Sequence, residues 1–317
     1  MKIRDLEVGK MCEITLVVKS ATARETKAKK PYLALEFFDG TDTISGNYWD
    51  WVSGVIPDVN AVLDVKAQVT EWQGAKQLNI KTLNTCTTRH LADFAPTSDH
   101  DIAETYKKAY ALMCEVQDDT LRDIAVSILE ELRERWITVP GATGVHHAYM
   151  GGTLIHSYSV AVKAKALAQA TDGANVDVAV VGAMLHDLGK LFTYKIEGVT
   201  IDRTSEGKLY EHIFMGAEFV GNFVESLLPD NPVVEGKVRL LRHIILSHHG
   251  KLEYGSPVPP QCIEAWIVHL ADMLDANAEQ IIAASKKVGE DIWTDKVRTL
   301  NNSSQLSVQY IQWLMAQ

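Results

Sequence analysis

The run VVGAMLHDLGKLF, Val180 to Phe192, closes an apolar stretch on an adjacent imidazole and carboxylate, His186 and Asp187. Both groups are costly to bury without a partner, and a metal ion is a common one. Four further segments repeat the pattern. His156 sits early in TLIHSYSVAV, His212 in YEHIFMGAEF, His248 and His249 end IILSHHG, and Asp272 lies in VHLADMLDA. A single histidine on an apolar helix is ordinary. Four apolar helical segments that each present one, with a carboxylate on a fifth, make a ligand set. Asp187 has two oxygens and can bridge two cations. His156, His186 and Asp272 would complete one position, and His212 and His248 the other. Two ions so bridged would supply a nucleophilic hydroxide and clamp a phosphoryl oxygen. Nitrogen-rich ligation points to manganese, iron, nickel or zinc over calcium, and the mixed oxygen and nitrogen donors leave magnesium open. Manganese is the expected metal.

Other groups near this set are expected to support it. Either His146 or His147 would contact a ligand from behind or meet substrate phosphate. His249 is the alternative to His248. Asp275, one turn past Asp272, is expected behind the ligands. His243 on LLRHIIL reads as structural and His269 as packing or support, while His90 and His100 carry no expected role.

These residues need rigid helices, and the chain supplies them only after about residue 100. The first 90 residues read as strands: CEITLVVKS, YLALEFFDG, TISGNYWDW, AVLDVKAQVTEW and QLNIKTL are short, partly alternating, and rich in β-branched or aromatic residues. Asp39-Gly40 and Gly74 mark turns. Five strands without a helix suggest the small OB-fold barrel, which commonly binds oligonucleotides. The connection KSATARETKAKKP carries Lys19, Arg24, Lys27, Lys29 and Lys30 against Glu25 alone. Tyr32, Phe37, Phe38, Tyr48, Trp49, Trp51 and Trp72 lie nearby. A basic groove with stacking rings is what single-strand binding uses; Trp49 is the ring expected to stack. From HLADFAPTSDHD onward the period becomes helical, with helices expected over 102–116, 118–136, 153–171, 176–187, 211–228, 234–248 and 261–286.

The chain has 317 residues, enough for about two domains. Its net charge of −10 is uneven. Residues 1–90 hold 12 Lys+Arg and 11 Asp+Glu, and the rest hold 19 and 30. A bulk polyanion binder is excluded, so any nucleic acid must be met by a local patch. No stretch is apolar enough to span a membrane. Four scattered cysteines argue against a disulfide framework and fit a reducing, cytoplasmic setting.

The order His156, His186-Asp187, Asp272 resembles the metal signature of the HD-domain phosphohydrolase superfamily, and His212 and His248 are similar to the extra ligands of its dinuclear members. The strings HHAYMGGTLIHSYSV, MLHDLGK, GKLYEHIFMG, LSHHGKLEYGSPVPP and HLADMLDA resemble the YhaM-like 3′→5′ exoribonucleases. LALEFFDGTDTISGNYWD likewise resembles their OB strand-hairpin-strand. The resemblance implies a multidomain chain, with a small all-β OB-fold barrel followed by an all-α HD-domain helical bundle. The barrel would cover 1–90, a linker and helix 91–117, the HD domain 118–290 and a helical tail 291–317. It implies a metal-dependent 3′→5′ exonuclease acting on single-stranded RNA or DNA and releasing nucleoside 5′-monophosphates. Lys190 matches a lysine that such enzymes use on substrate phosphate, making it catalytic beside Asp187. Three other readings use similar residues: a phosphohydrolase of small nucleotides, a di-iron oxygenase, and a non-enzymatic nucleic-acid binder. The sequence leaves the oligomeric state open, a homo-oligomer included.

Overall fold

A computed structural model describes the chain except for residues 52–53, 144–146, 228–230 and 290. Residues 1–99 with 196–200 form one compact unit, and 100–195 with 201–317 form a second.

The first unit is built on five strands: β1 (Met11–Glu25), β2 (Pro31–Phe38), β3 (Thr43–Tyr48), β4 (Val62–Trp72) and β5 (Ala75–Thr85). They close into a barrel in the order β1-β2-β3-β5-β4, with β3 and β5 parallel and the other pairs antiparallel. This is the expected OB-type barrel. Alternation along each strand turns Leu16, Val18, Leu33, Leu35, Phe37, Val65, Val69, Leu78 and Ile80 inward. Gly46 is required where the wall is tightest, since a Cβ there would lie 2.9 Å from Ile80 Cδ1 and 3.1 Å from Phe37. The β2–β3 turn hangs on Asp39, buried beneath it. One carboxylate oxygen accepts from Thr41 N and Asp42 N at 2.8 Å each, and the other from Ile3 N at 2.6 Å. Gln73 and Gly74, both with positive φ, make the two-residue β4–β5 hairpin.

One expectation needs correction here. The basic segment is not a long loop. β1 keeps pairing with β2 as far as Glu25↔Pro31, so Lys19 and Arg24 are strand residues and only 26–30 turn. Among the aromatics, Phe37 and Phe38 are buried, because their strand positions face apolar neighbours. Tyr48 and Trp51 pack partly against the barrel core. Trp49 is exposed and stacks on Tyr32 with ring centroids 4.5 Å apart. Lys27, Lys29 and Lys30 are exposed; Lys30 lies 3.7 Å from Asp50.

The second unit is helical: α1 (Ile102–Cys114), α2 (Asp119–Glu131), α3 (Arg133–Thr138), α4 (Gly152–Gln169), α5 (Val176–Leu185) and α6 (Lys190–Thr193), then α7 (Ser205–Leu227), α8 (Pro232–Ser247), α9 (Ile263–Val288) and α10 (Val308–Met315). Asp101, Asp118, Asn175 and Asn231 cap α1, α2, α5 and α8 with side-chain oxygens. α5 is buried from Val178 to Leu185, on all faces, and packs against α4, α8 and α9. That explains an apolar run without helical alternation. The expected single helix 118–136 is broken at Leu132 (φ −102°, ψ 19°). A hairpin of β6 (Tyr194–Glu197) and β7 (Thr200–Arg203), unforeseen in the sequence, follows α6. α7 also begins before the expected 211. Glu211 interrupts it with φ 60° and ψ 158°, so His212 opens the second limb. Among the described residues, no helix is long and apolar enough to cross a membrane.

Candidate metal centre

Helix ends bring the predicted ligands together. α5 stops at Leu185 and delivers His186 and Asp187, both fully buried. His186 Nδ1 lies 2.6 Å from Ala183 O. A carbonyl only accepts, so Nδ1 carries the proton and Nε2 offers its lone pair inward. The end of α8 repeats the device, with His248 Nδ1 donating to Ile245 O at 2.7 Å. His156, buried one turn into α4, and Asp272, on α9, approach from the other side.

The distances sort into two groups around Asp187. Its Oδ2 is 3.3 Å from the Nε2 atoms of both His156 and His186, and Asp272 Oδ1 is 3.1 Å from His156 Nε2 and 3.8 Å from His186 Nε2. Its Oδ1 faces the other way, 3.6 Å from His212 Nε2 and 3.6 Å from His248 Nε2. Asp187 Oδ1, His212 Nε2 and His248 Nε2 are buried without a hydrogen-bond partner. Three acceptor-capable atoms converging with nothing to accept from are a poor design for a protein interior and a good one for a cation. The residues fit a metal.

Electrostatics agree at the two carboxylates and at His212 and His248, while His156 is surrounded by carboxylates that favour a proton a cation would have to displace. Burial alone would raise the Asp187 and Asp272 carboxyls. Lys190 and His186 outweigh it at Asp187, and His156 and His186 at Asp272, so both are held well below the usual carboxylate range. Burial opposes a proton on His156, but hydrogen bonds to Asp187, Asp272 and Asp275 raise its pKa well above the ordinary value. Burial keeps His212 low and His248 lower still, as neutral imidazoles with free lone pairs. Lys190, at the first position of α6, places Nζ 2.7 Å from Asp187 Oδ2 and is raised chiefly by that carboxylate against burial.

Behind the cluster stands Asp275. Its Oδ2 takes His156 Nδ1–H at 2.7 Å and His147 Nε2–H at 3.1 Å. Its Oδ1 accepts from Ser159 at 2.6 Å and from Lys163 at 2.8 Å. His147 Nδ1 then accepts from the Tyr149 hydroxyl at 2.9 Å. This ordered chain of donors fixes His156 with Nε2 toward Asp187. His147 is held by its backbone: a Cβ on Gly152 would lie 2.0 Å from its carbonyl oxygen. His146 lies outside the described residues. His249 stands at the edge, its ring 4.4 Å from that of His248 and 5.3 Å from that of His212, with Nδ1 donating to Tyr254 O at 2.8 Å. His243 Nε2 accepts from Gln261 N.

Ser159, Lys163 and Glu211 were missed in the sequence. Ser159 and Lys163 stand three and seven residues after His156, on one face of α4, a spacing that could have found them. Glu211 carries no such signal. Its carboxyl lies 3.6 Å from His212 Nδ1, too long for a good hydrogen bond, and pairs closely with Arg203. His212 and Arg203 hold it at about 2 against partial burial.

A helical bundle that ends its helices on this histidine–aspartate cluster defines an HD domain, a divalent-metal-binding class, and the HD domain family matches residues 153–277. Over 306 residues, 94% of this chain and 92% of the relative, the sequence is 30% identical to the 3′-5′ exoribonuclease YhaM of Geobacillus sp. (strain WCH70). The chain belongs to the YhaM family of HD-domain proteins.

Proposed function

We propose that this protein is a metal-dependent 3′→5′ exonuclease that hydrolyses the phosphodiesters of single-stranded RNA and releases nucleoside 5′-monophosphates. The observation that carries the metal dependence is the division of Asp187, with one carboxylate oxygen toward His156, His186 and Asp272 and the other toward His212 and His248. The strand polarity and the RNA preference rest on membership in the YhaM family. Those six residues would hold two divalent ions, manganese the expected pair. Bound there, the ions would supply Lewis acidity toward a phosphoryl oxygen and a nucleophile at neutral pH. Lys190 adds an ammonium beside the same carboxylate, placed to offset charge developing on the equatorial oxygens. Asp275 keeps His156 in the tautomer and orientation the centre needs.

The barrel would grip the strand through Lys19, Arg24, Lys27, Lys29 and Lys30 and through Trp49, whose ring already stacks on Tyr32. Replacing Lys27, Lys29 and Lys30 together by glutamine is expected to flatten the salt dependence of RNA affinity. Three lost phosphate contacts correspond to about 2 units in the slope of log K against log salt. Filter binding across a salt series measures this, and an unchanged slope would remove these lysines from the interface.

The direct test of activity is incubation of 5′-labelled RNA and DNA oligomers with the full-length protein and added manganese. A ladder shortening from the 3′ end is expected, faster on RNA, with mononucleotide products. Shortening from the 5′ end, or release of inorganic phosphate from free nucleotides alone, would overturn the reading.

A further inference from the structure

The segment after His248 is tied to the metal centre, yet none of the chemistry above uses its outward side chains. Gly250 (φ +81°) sits on the His269 ring, where a Cβ would come within 2.3 Å, and His269 Nδ1 donates to His248 O at 2.8 Å. A short turn over Leu252–Tyr254 closes on Gly255 (φ +92°), with Tyr254 N and Ser256 N both donating to Lys251 O, at 3.1 Å and 3.3 Å. Tyr254 O in turn accepts from His249, whose ring touches those of His248 and His212. One imidazole thus separates the Tyr254 backbone from two residues of the centre.

What this rigid loop presents outward is an aromatic ring and a cation. Tyr254 is 60% exposed. Lys251 Nζ stands 5.3 Å from the Tyr254 ring centroid, steadied by Glu253 at 3.4 Å. With the ammonium over one face, the exposed remainder of the ring is open to a planar ligand. Every nucleobase has such a face, and ring stacking beside a lysine is how single strands are held without regard to sequence. A loop already locked loses little conformational freedom on binding.

We propose that the 249–256 loop is the subsite for the terminal nucleotide of a single-stranded nucleic acid, with Tyr254 stacking its base and Lys251 meeting a neighbouring phosphate. This rests on the nuclease reading and assigns the element that engages the strand end beside the metal centre.

The test uses full-length protein with manganese and two 5′-labelled RNA oligomers, one ending in a normal nucleotide and one in an abasic residue, with the first cleavage timed. Base stacking of ordinary strength predicts that Tyr254→Ala lowers kcat/KM about tenfold on the normal end. The parent should lose a similar factor on the abasic end, and Tyr254→Ala should lose nothing further there. Tyr254→Phe should match the parent. Lys251→Gln should raise KM on both oligomers alike. Equal losses by Tyr254→Ala on the two ends would reveal a merely structural role and overturn the proposal. So would a parent enzyme indifferent to the missing base, or a Tyr254→Ala variant equal to the parent on the normal end. A parent that cleaves neither oligomer would overturn the nuclease reading together with the subsite. Cleavage by the parent with no effect of Tyr254→Ala would overturn the subsite alone.

Discussion

Gly189→Ala is expected to dismantle the metal centre although residue 189 bears no ligand. A Cβ at this position would lie 1.8 Å from the carbonyl oxygen of His212 and 2.7 Å from the backbone nitrogen of Gly216. Both obstacles are backbone, so no side-chain rotation relieves the overlap. The start of α6 must separate from α7, and α7 carries His212. Forced overpacking usually costs about 1–3 kcal/mol, and a backbone collision belongs at or above the top of that range. At that cost a helical unit of this size should lose about 10 °C in melting temperature. The metal content should fall as well, because His212 moves away from Asp187 Oδ1. Thermal denaturation and elemental analysis of the purified variant measure the two effects. A variant with the parent's melting temperature and metal content would show that Gly189 and the His212 carbonyl do not hold α6 and α7 in register.

Asp187→Ala is expected to abolish metal binding at both positions, whereas Lys190→Ala should keep it. The two side chains are 2.7 Å apart, so general damage to the site cannot explain a difference between them. Removing Asp187 deletes the oxygen facing His156 and His186 and the oxygen facing His212 and His248 in one step. Metal should fall from two equivalents to none, and turnover by at least about 10³-fold. Removing Lys190 frees Asp187 from a competing cation. Metal should stay, while the lost electrostatic support lowers kcat by about 10²-fold. Retention of two equivalents by Asp187→Ala would rule out a bridging carboxylate. Full activity in Lys190→Ala would reduce the lysine to a counter-ion.

The histidines were legible because each interrupts an apolar segment at a helix end or within a turn of one, and Asp272 because it breaks an apolar stretch in the middle of α9, where a polar residue needs a reason. The barrel was legible for a similar cause: alternation along β1, β2 and β4 survives in the sequence because one face is buried. What stayed hidden depends on contacts distant in sequence. Arg24 belongs to β1 only because β2 continues opposite it. The β6–β7 hairpin is four residues a side, too short for any period to register. The convergence of His147, His156, Ser159 and Lys163 on Asp275 joins residues more than a hundred positions apart. Tyr254 and Lys251 gain meaning only from where the glycines on either side aim the loop.

The break in α7 has a consequence for any attempt to make this protein sturdier. Glu211 is held at φ 60° and ψ 158°, a backbone state that glycine visits freely and a glutamate occupies at a cost of about 1–3 kcal/mol. Glycine at 211 would therefore relax the chain, and a search for robustness alone would select it early. It would also release the carboxylate that sits between Arg203 and His212. The strain of this backbone state is thus held beside a histidine of the centre, tied to the carboxylate that Arg203 grips. Resilience and competence are set against each other at this residue, and gains in one should be sought elsewhere in the chain.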